Sequence, residues 1–154
     1  MAFVDRGLEL ADNLAVTTTG TITNVVDLGV NPTTRSLSLQ NAYLVIDCTA
    51  DVDDAGAGAA TVTIKLVSDS AAALTTSPTT HWSSAALAVT LAGTPSPEMF
   101  AGQTVTVLPL PVKANYERYL GVSFTITDGP LSTGAFNVYI THDPSIRTLY
   151  PDAI

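Results

Sequence analysis

Two histidines, one cysteine and fourteen acidic residues are the side chains of this sequence suited to acid–base, nucleophilic or metal chemistry. Side-chain catalysis needs a nucleophile beside a base, a carboxylate pair in a pocket, or a metal. The bases available to a serine triad are His81, which precedes Trp82 in a Thr- and Ser-rich stretch, and His142, which precedes Asp143-Pro144. The nearest approach to a nucleophile elbow, Gly121-Val122-Ser123-Phe124-Thr125, lacks the closing glycine and lies inside an alternating stretch rather than at a strand-to-helix turn. Asp51-Val52-Asp53-Asp54-Ala55-Gly56 places carboxylates at positions 1 and 3 and glycine at position 6 of a calcium loop. Position 5 is Ala55, however, and position 12 is Val62 where a bidentate Glu is required. A solvated acidic loop is the expectation there. Cys48 is the one cysteine, so neither an intrachain disulfide nor a cysteine-rich zinc site can form, and a buried thiol is expected. No His, Cys or Glu stands at zinc-ligand spacing, and Gly56 and Gly58 are not followed by a phosphate-binding Lys. No catalytic, metal or cofactor-binding residue is therefore assigned, and the chain is expected not to be an enzyme.

Aromatic side chains offer sugar binding as another chemistry. The candidates are Trp82, Tyr116, Tyr119, Tyr139 and Tyr150, with Tyr139 on the polar face of its strand. An outward tyrosine more often belongs to a packed edge or a subunit interface than to a sugar platform. Arg118, between Glu117 and Tyr119, is expected to form a local ion pair.

The elements that must position these groups are strands. Val62, Ile64 and Leu66 alternate with Thr61, Thr63 and Lys65. Leu120, Val122, Phe124 and Ile126 alternate with Gly121, Ser123, Thr125 and Thr127, and Phe136, Val138 and Ile140 with Asn137, Tyr139 and Thr141. A two-residue period marks strands with one buried and one wet face. Further strand candidates are Thr21–Leu28, Leu37–Cys48, Thr79–Ser84, Leu87–Leu91 and Gln103–Leu108, the last alternating Thr with Val before Pro109 and Pro111. About eight strands separated by Gly, Pro, Ser and Asp predict an all-β, single-domain β-sandwich of jelly-roll type. Helix is limited to a turn over Asp69–Leu74, with Asp69 or Ser70 as cap, and a turn near Asn115.

Length and composition agree. The 154 residues are 46% hydrophobic but only 13% charged, against about 25% in ordinary globular domains. At 16.0 kDa one self-sufficient core is feasible without disulfides or metals. A formal charge of −8, with six scattered basic residues, argues against nucleic-acid and anionic-membrane partners. The N-terminal residues do not read as a signal peptide and no stretch reaches eighteen apolar residues, so synthesis and retention in the cytoplasm are expected. Residues 1–14 read as an extended arm, 15–143 as the sandwich and 144–154 as a tail. Phe3, Val4, Leu8 and Leu10 in the arm, and Ile146, Leu149, Tyr150 and Ile154 in the tail, fall outside the sandwich pattern. Such apolar groups cover either the open ends of their own sandwich or a neighbouring chain, which makes them the candidate partner contacts.

The N-terminal third also carries a family likeness. Phe3-Val4-Asp5, Leu8-Glu9-Leu10-Ala11-Asp12, Ala15-Val16-Thr17 and Thr23-Asn24-Val25-Val26-Asp27-Leu28-Gly29 together resemble the opening of the Bordetella-phage-type capsid cement (decoration) proteins of tailed bacteriophages. The resemblance continues through Ala60-Thr61-Val62-Thr63-Ile64, Leu66-Val67-Ser68-Asp69-Ser70, Leu108-Pro109 and Glu117-Arg118-Tyr119-Leu120-Gly121-Val122. It departs at Asp69-Ser70, where similar proteins often have two consecutive acids, and at Ala92–Gly102, which looks like an extra loop. The resemblance implies a jelly roll on the outer surface of a virion, clamping neighbouring major capsid proteins of the Hong Kong 97-type fold. It also implies a symmetric homo-oligomer, a dimer before a trimer. The alternatives in other classes are a head-fibre, tail or receptor (carbohydrate)-binding module and a small hydrolase or isomerase on the same scaffold.

Overall fold

A computed structural model describes residues 8–22, 24–30, 41–56, 58–94, 96–111 and 114–144. They form β1 (Glu9–Ala15), β2 (Gly20–Thr21), β3 (Val26–Asp27), β4 (Tyr43–Asp54), β5 (Thr61–Asp69), β6 (Thr79–Ser83), β7 (Leu87–Ala88), β8 (Thr90–Leu91), β9 (Thr104–Pro109), β10 (Tyr119–Thr127) and β11 (Leu131–Thr141). Two sheets result. In sheet A, β1, β11 and β4 are neighbours in that order, and both β9 and the parallel β8 pair with the far side of β4. In sheet B, β2 and β3 both pair with β10, β10 with β5, and β5 with both β6 and β7. Treating β2 with β3, and β6 with β7, as single interrupted strands leaves four positions per sheet. Their order, β1-β11-β4-β9 over β2/β3-β10-β5-β6/β7, is the expected jelly roll, with β8 as an addition.

The alternation explains the core. Phe124, Val122 and Ile126 of β10 stand opposite Ile64, Leu66 and Val62 of β5, and Phe136, Val138 and Ile140 of β11 opposite Cys48, Ile46 and Leu44 of β4. These inner faces meet, with the Phe124 and Phe136 rings 5.0 Å apart between centroids. All of these side chains are buried except Ile126, which is partly buried, and each large buried side chain contributes about 1.5–3 kcal/mol through removal of apolar surface from water.

Four expectations are corrected. Glu9–Ala15 is not part of an arm: it pairs with β11 from Glu9↔Tyr139 to Ala15↔Ala135, so the sandwich begins at residue 9. Asp69–Leu74 is not helical. The buried Asp69 carboxylate accepts N–H bonds from Ala71, Thr76 and Ser77, which bends the chain into a turn and leaves Leu74 at φ +54°. That turn lays the buried Leu74 over Gly121 of β10, where an added Cβ would come within 2.5 Å of Leu74 Cδ1. The outer face of sheet B is thus partly apolar, and a glycine makes the room. No helix forms around Asn115 either, among the described residues. Finally, the acidic stretch is not a loose loop, since Asp51, Asp53 and Asp54 belong to β4. The described residues between Ala92 and Gly102 belong to no strand, but they are tied to β4 by Val52 N–H to the Met99 carbonyl and Gly102 N–H to the Cys48 carbonyl.

Candidate interaction surface

His142 is exposed, and most of the other groups singled out for chemistry have a structural task. Ser68 Oγ lies 2.7 Å from His81 Nε2 and accepts the Glu117 N–H at 3.0 Å. A serine and a histidine at this distance are what a general base requires. Ser68, however, has no exposed surface, so no substrate carbonyl can reach its oxygen. His81 packs on the buried Tyr116 ring at 4.6 Å, and the Thr79 hydroxyl donates to Glu117. Burial holds the His81 imidazole below its usual range, against the pull of Glu117, and pushes the Tyr116 phenol up to about 12. The cluster joins β5, β6 and the chain entering β10.

The carboxylates act as loop clamps. Asp54, 3% exposed, accepts N–H bonds from Gly56, Gly58, Ala59 and Ala60. The Gly56 N–H leads in holding this carboxyl below the usual range, with the other three adding to it against the cost of burial. At Asp69 burial pushes the carboxyl up, but the N–H groups of Ala71, Ser77 and Thr76 outweigh it and the net direction is down. Asp51 accepts the Ala101 N–H at 2.7 Å, and Asp53 the Thr133 hydroxyl. Asp51 and Asp54 of the calcium-like stretch thus accept backbone N–H groups, and Asp53 accepts a side-chain hydroxyl. Among the described residues no three His, Cys, Asp or Glu stand together as a metal site.

Cys48 is buried, its thiol donates to the Ala50 carbonyl, and burial pushes its pKa up to about 11, which leaves it un-ionised and unreactive near neutrality. Arg118 does form an ion pair, with Asp27 rather than Glu117: Nε and Nη2 grip both carboxylate oxygens at 2.8–3.2 Å across 91 positions. Its guanidinium also lies 4.9 Å from the Tyr119 ring centre. Tyr139, expected on a polar face, is 8% exposed and reaches Asp47 with its hydroxyl, and Trp82 packs against the core.

What remains is surface. Among the predicted contacts, Leu10 is 1% exposed and belongs to this chain's own core, and Leu8 is half-buried against that core. Burial of Leu10 follows from β1 joining sheet A. Phe3, Val4, Ile146, Leu149, Tyr150 and Ile154 lie outside the described residues. Sequence reasoning missed a different set. The large hydrophobics exposed among the described residues are Val30, Leu91 (47%), Phe100 (42%) and Val107 (44%). The last three follow one edge of sheet A, on β8, the loop beside β4 and β9 in turn. Alternation of Thr with Val in Gln103–Leu108 did not say which set faces in. Thr106 and Leu108 stand opposite the core residues Ile46 and Leu44, so Val107 faces out beside Val45 and Tyr139. A shallow concavity of about 180 Å³ between Leu14–Ile22 and Phe124 is lined by threonines, small residues and apolar groups, with no charge. No helix of the described residues is long and apolar enough to cross a membrane.

A family model described as Bbp16 matches residues 10–140. No curated protein matches the sequence.

Proposed function

This chain belongs to the Bbp16 family, a phage-associated family, and from that membership we propose that it is a capsid cement protein of the virion's outer surface. The observation that carries this reading is the division of labour in the jelly roll. Asp51, Asp54, Asp69, Ser68 and His81 hold loops or strands, whereas large apolar side chains along one sheet edge are exposed among the described residues. That division suits adhesion. The partners are the major capsid protein of the shell and further copies of this chain, a dimer before a trimer. A charge of −8 keeps such a protein from competing for packaged DNA.

The mechanism is additive. An expanded shell resists the pressure of its DNA, and each cement unit that bridges two capsomers adds interface that must break before they separate. About 800 Å² per partner suffices for specific association, and repetition over a closed lattice multiplies the effect through avidity. The terminal segments 1–7 and 145–154 are the proposed shell contacts, since Leu10 is spent on the chain's own core.

Co-sedimentation of the purified protein with capsids stripped of it tests the proposal. Saturable binding at a fixed ratio to the major capsid protein, with a raised shell melting temperature, is the expected result. Absence of binding to both unexpanded and expanded shells overturns it in favour of a receptor- or carbohydrate-binding role, which a glycan array then examines. Deleting residues 2–7, which leaves β1 whole, is expected to weaken shell binding at least about tenfold without unfolding the domain. Unchanged affinity overturns the contact assignment.

A further inference from the structure

We infer that His81 and Ser68 form an acid-sensitive latch on sheet B: neutral His81 holds β6 to β5 and to the chain entering β10, and protonation of its imidazole releases that edge. The latch stands on the folded chain alone and is independent of the cement reading.

Ser68 is the odd residue of β5. It follows Ile64 and Leu66 on the inner face of the strand and has no exposed surface, a place that an apolar side chain would fill. A buried hydroxyl costs free energy unless it is bonded. The Ser68 oxygen accepts the Glu117 N–H at 3.0 Å, and among the described residues His81 Nε2, at 2.7 Å, is the acceptor that its own hydrogen meets. The hydroxyl therefore donates to Nε2, which selects the neutral imidazole with its hydrogen on Nδ1. The shape of β6 delivers that ring. Thr80 stands opposite Val67 and Trp82 opposite Leu66, so His81 is the extra residue of a bulge, without a residue across from it on β5. Bulges re-aim side chains in this way.

A proton breaks the arrangement. Imidazolium has two N–H donors and no acceptor, so its Nε2–H meets an oxygen already taking the Glu117 N–H, and the Ser68 hydrogen is left buried without an acceptor. Among the described residues β6 pairs with β5 alone, an edge that can part locally while the sandwich stays folded. The chain entering β10 presents two titratable groups to His81. The Tyr116 ring packs on it at 4.6 Å, and Glu117, whose carboxylate accepts the Thr79 hydroxyl, is the charge that acts on it. The next residue, Arg118, is gripped by Asp27. On β5, the Asp69 carboxylate is turned to the N–H groups of Ala71, Thr76 and Ser77, and Lys65 stands opposite Ser83. β6 itself has no other titratable side chain. Burial outweighs the pull of Glu117 and holds the latched imidazole below its usual 6.5, a value that a released His81 regains. The released form thus binds the proton first. The latch is fully closed above about pH 6.5 and gives way as pH falls toward the lower latched value. The Asp54 and Asp69 clamps stay shut in that window, since their carboxyls protonate only below about pH 4.

NMR on the full chain tests the latch. At pH 7 the imidazole nitrogen shifts of His81 are expected to show hydrogen on Nδ1 and an acceptor at Nε2. Between pH 7 and 5, exchange of the Glu117 amide and of the β6 amides bonded to β5, corrected for its intrinsic pH dependence, is expected to quicken at least about fivefold. The amides joining β4 to β11 are expected to keep their rates. His81→Gln, whose Oε1 can take the Ser68 hydrogen but cannot titrate, is expected to abolish the change. Glu117→Gln, which keeps an acceptor for Thr79, is expected to retain it. A wild type with hydrogen on Nε2 at pH 7, or with pH-independent exchange in β6, overturns the inference. So does a pH-dependent opening that survives His81→Gln or vanishes in Glu117→Gln. The wild-type readings need no variant, so they decide even where His81→Gln folds poorly.

Discussion

β5 and β10 pair from Thr61↔Thr127 to Asp69↔Tyr119 without a slip, whereas β4 and β11 pair with three register shifts, all between Leu131 and Phe136. The difference lies in the residues. Both strands of the first pair alternate apolar with polar, and a slip by one residue would turn every core side chain to water. Leu131-Ser132-Thr133-Gly134-Ala135 has no such alternation to enforce a register. Local polar bonds set it instead: the Thr133 hydroxyl donates to the Asp51 carbonyl, and the Ser132 hydroxyl to the Asp53 carbonyl. Gly134 takes φ +151°, with Val16 O and the Val52 methyl groups 3.3–3.4 Å from where a Cβ would sit. Beside the slipped stretch, the far side of β4 is covered by the Phe100 loop and β8 rather than by β9, and there Leu91 and Phe100 reach solvent. Regular pairing makes an inert wall, and broken alternation is where this molecule's surface acquires features.

The largest expected effect tests whether the two sheets are equal inside despite that difference. Phe124→Ala in the regular sheet and Phe136→Ala in the slipped one are each expected to cost about 3–5 kcal/mol in urea unfolding. The double variant is expected to fall short of the sum by about 0.5–1.5 kcal/mol, because the rings touch. A Phe136→Ala loss below about 1 kcal/mol would mean that the slipped sheet collapses into the cavity, and the equality fails.

A smaller effect compares the clamps that end β5 and β4. Asp69 and Asp54 both have carboxyls held below the usual range in the folded state. The unfolded chain therefore takes up protons first as pH falls. Their contribution is complete above the ordinary carboxyl value of about 4 and is lost as pH drops through the lower folded-state values. Asp69→Asn and Asp54→Asn are each expected to lower Tm by roughly 5–10 °C at pH 7, with the gap to wild type closing below about pH 4. Calorimetry between pH 3 and 7 decides, and a constant gap across that range would show that the carboxyl charge is not what closes these turns.

The smallest effect belongs to Arg118 and Asp27, which join the regular sheet to β3 through an exposed pair. Solvent screens such pairs, so Arg118→Ala is expected to move Tm by less than about 2 °C, and less again in 0.5 M salt. A larger shift would give β3 a structural weight that its two residues do not suggest.

Legibility followed the same division. The three clean alternating runs became β5, β10 and β11, and their apolar sets became the core. The absence of an alternating run hid β1, since Glu9-Leu10-Ala11-Asp12-Asn13-Leu14-Ala15 buries only Leu10 and Ala11 and reaches β11 through slips. Asp69–Leu74 looked helical because alanine favours helix, but one buried carboxylate collecting three N–H bonds outweighed that weak preference. Of the predicted contact residues, Leu10 could not be told from a surface anchor, since an apolar side chain reads the same whether its own sheet or a neighbour covers it.

By itself the sequence determined an all-β chain of one domain, its central strands and their buried faces, and the scarcity of groups fit for catalysis. It could do so because period-two alternation and residue inventory are local properties. Only the tertiary structure decided that Arg118 meets Asp27, that Ser68 and His81 share a buried bond, that Asp54 and Asp69 close turns, and that Val107 rather than Thr106 faces out. Those outcomes depend on which strands become neighbours and where a register slips, and pairing between residues 91 positions apart leaves no periodic mark along the chain.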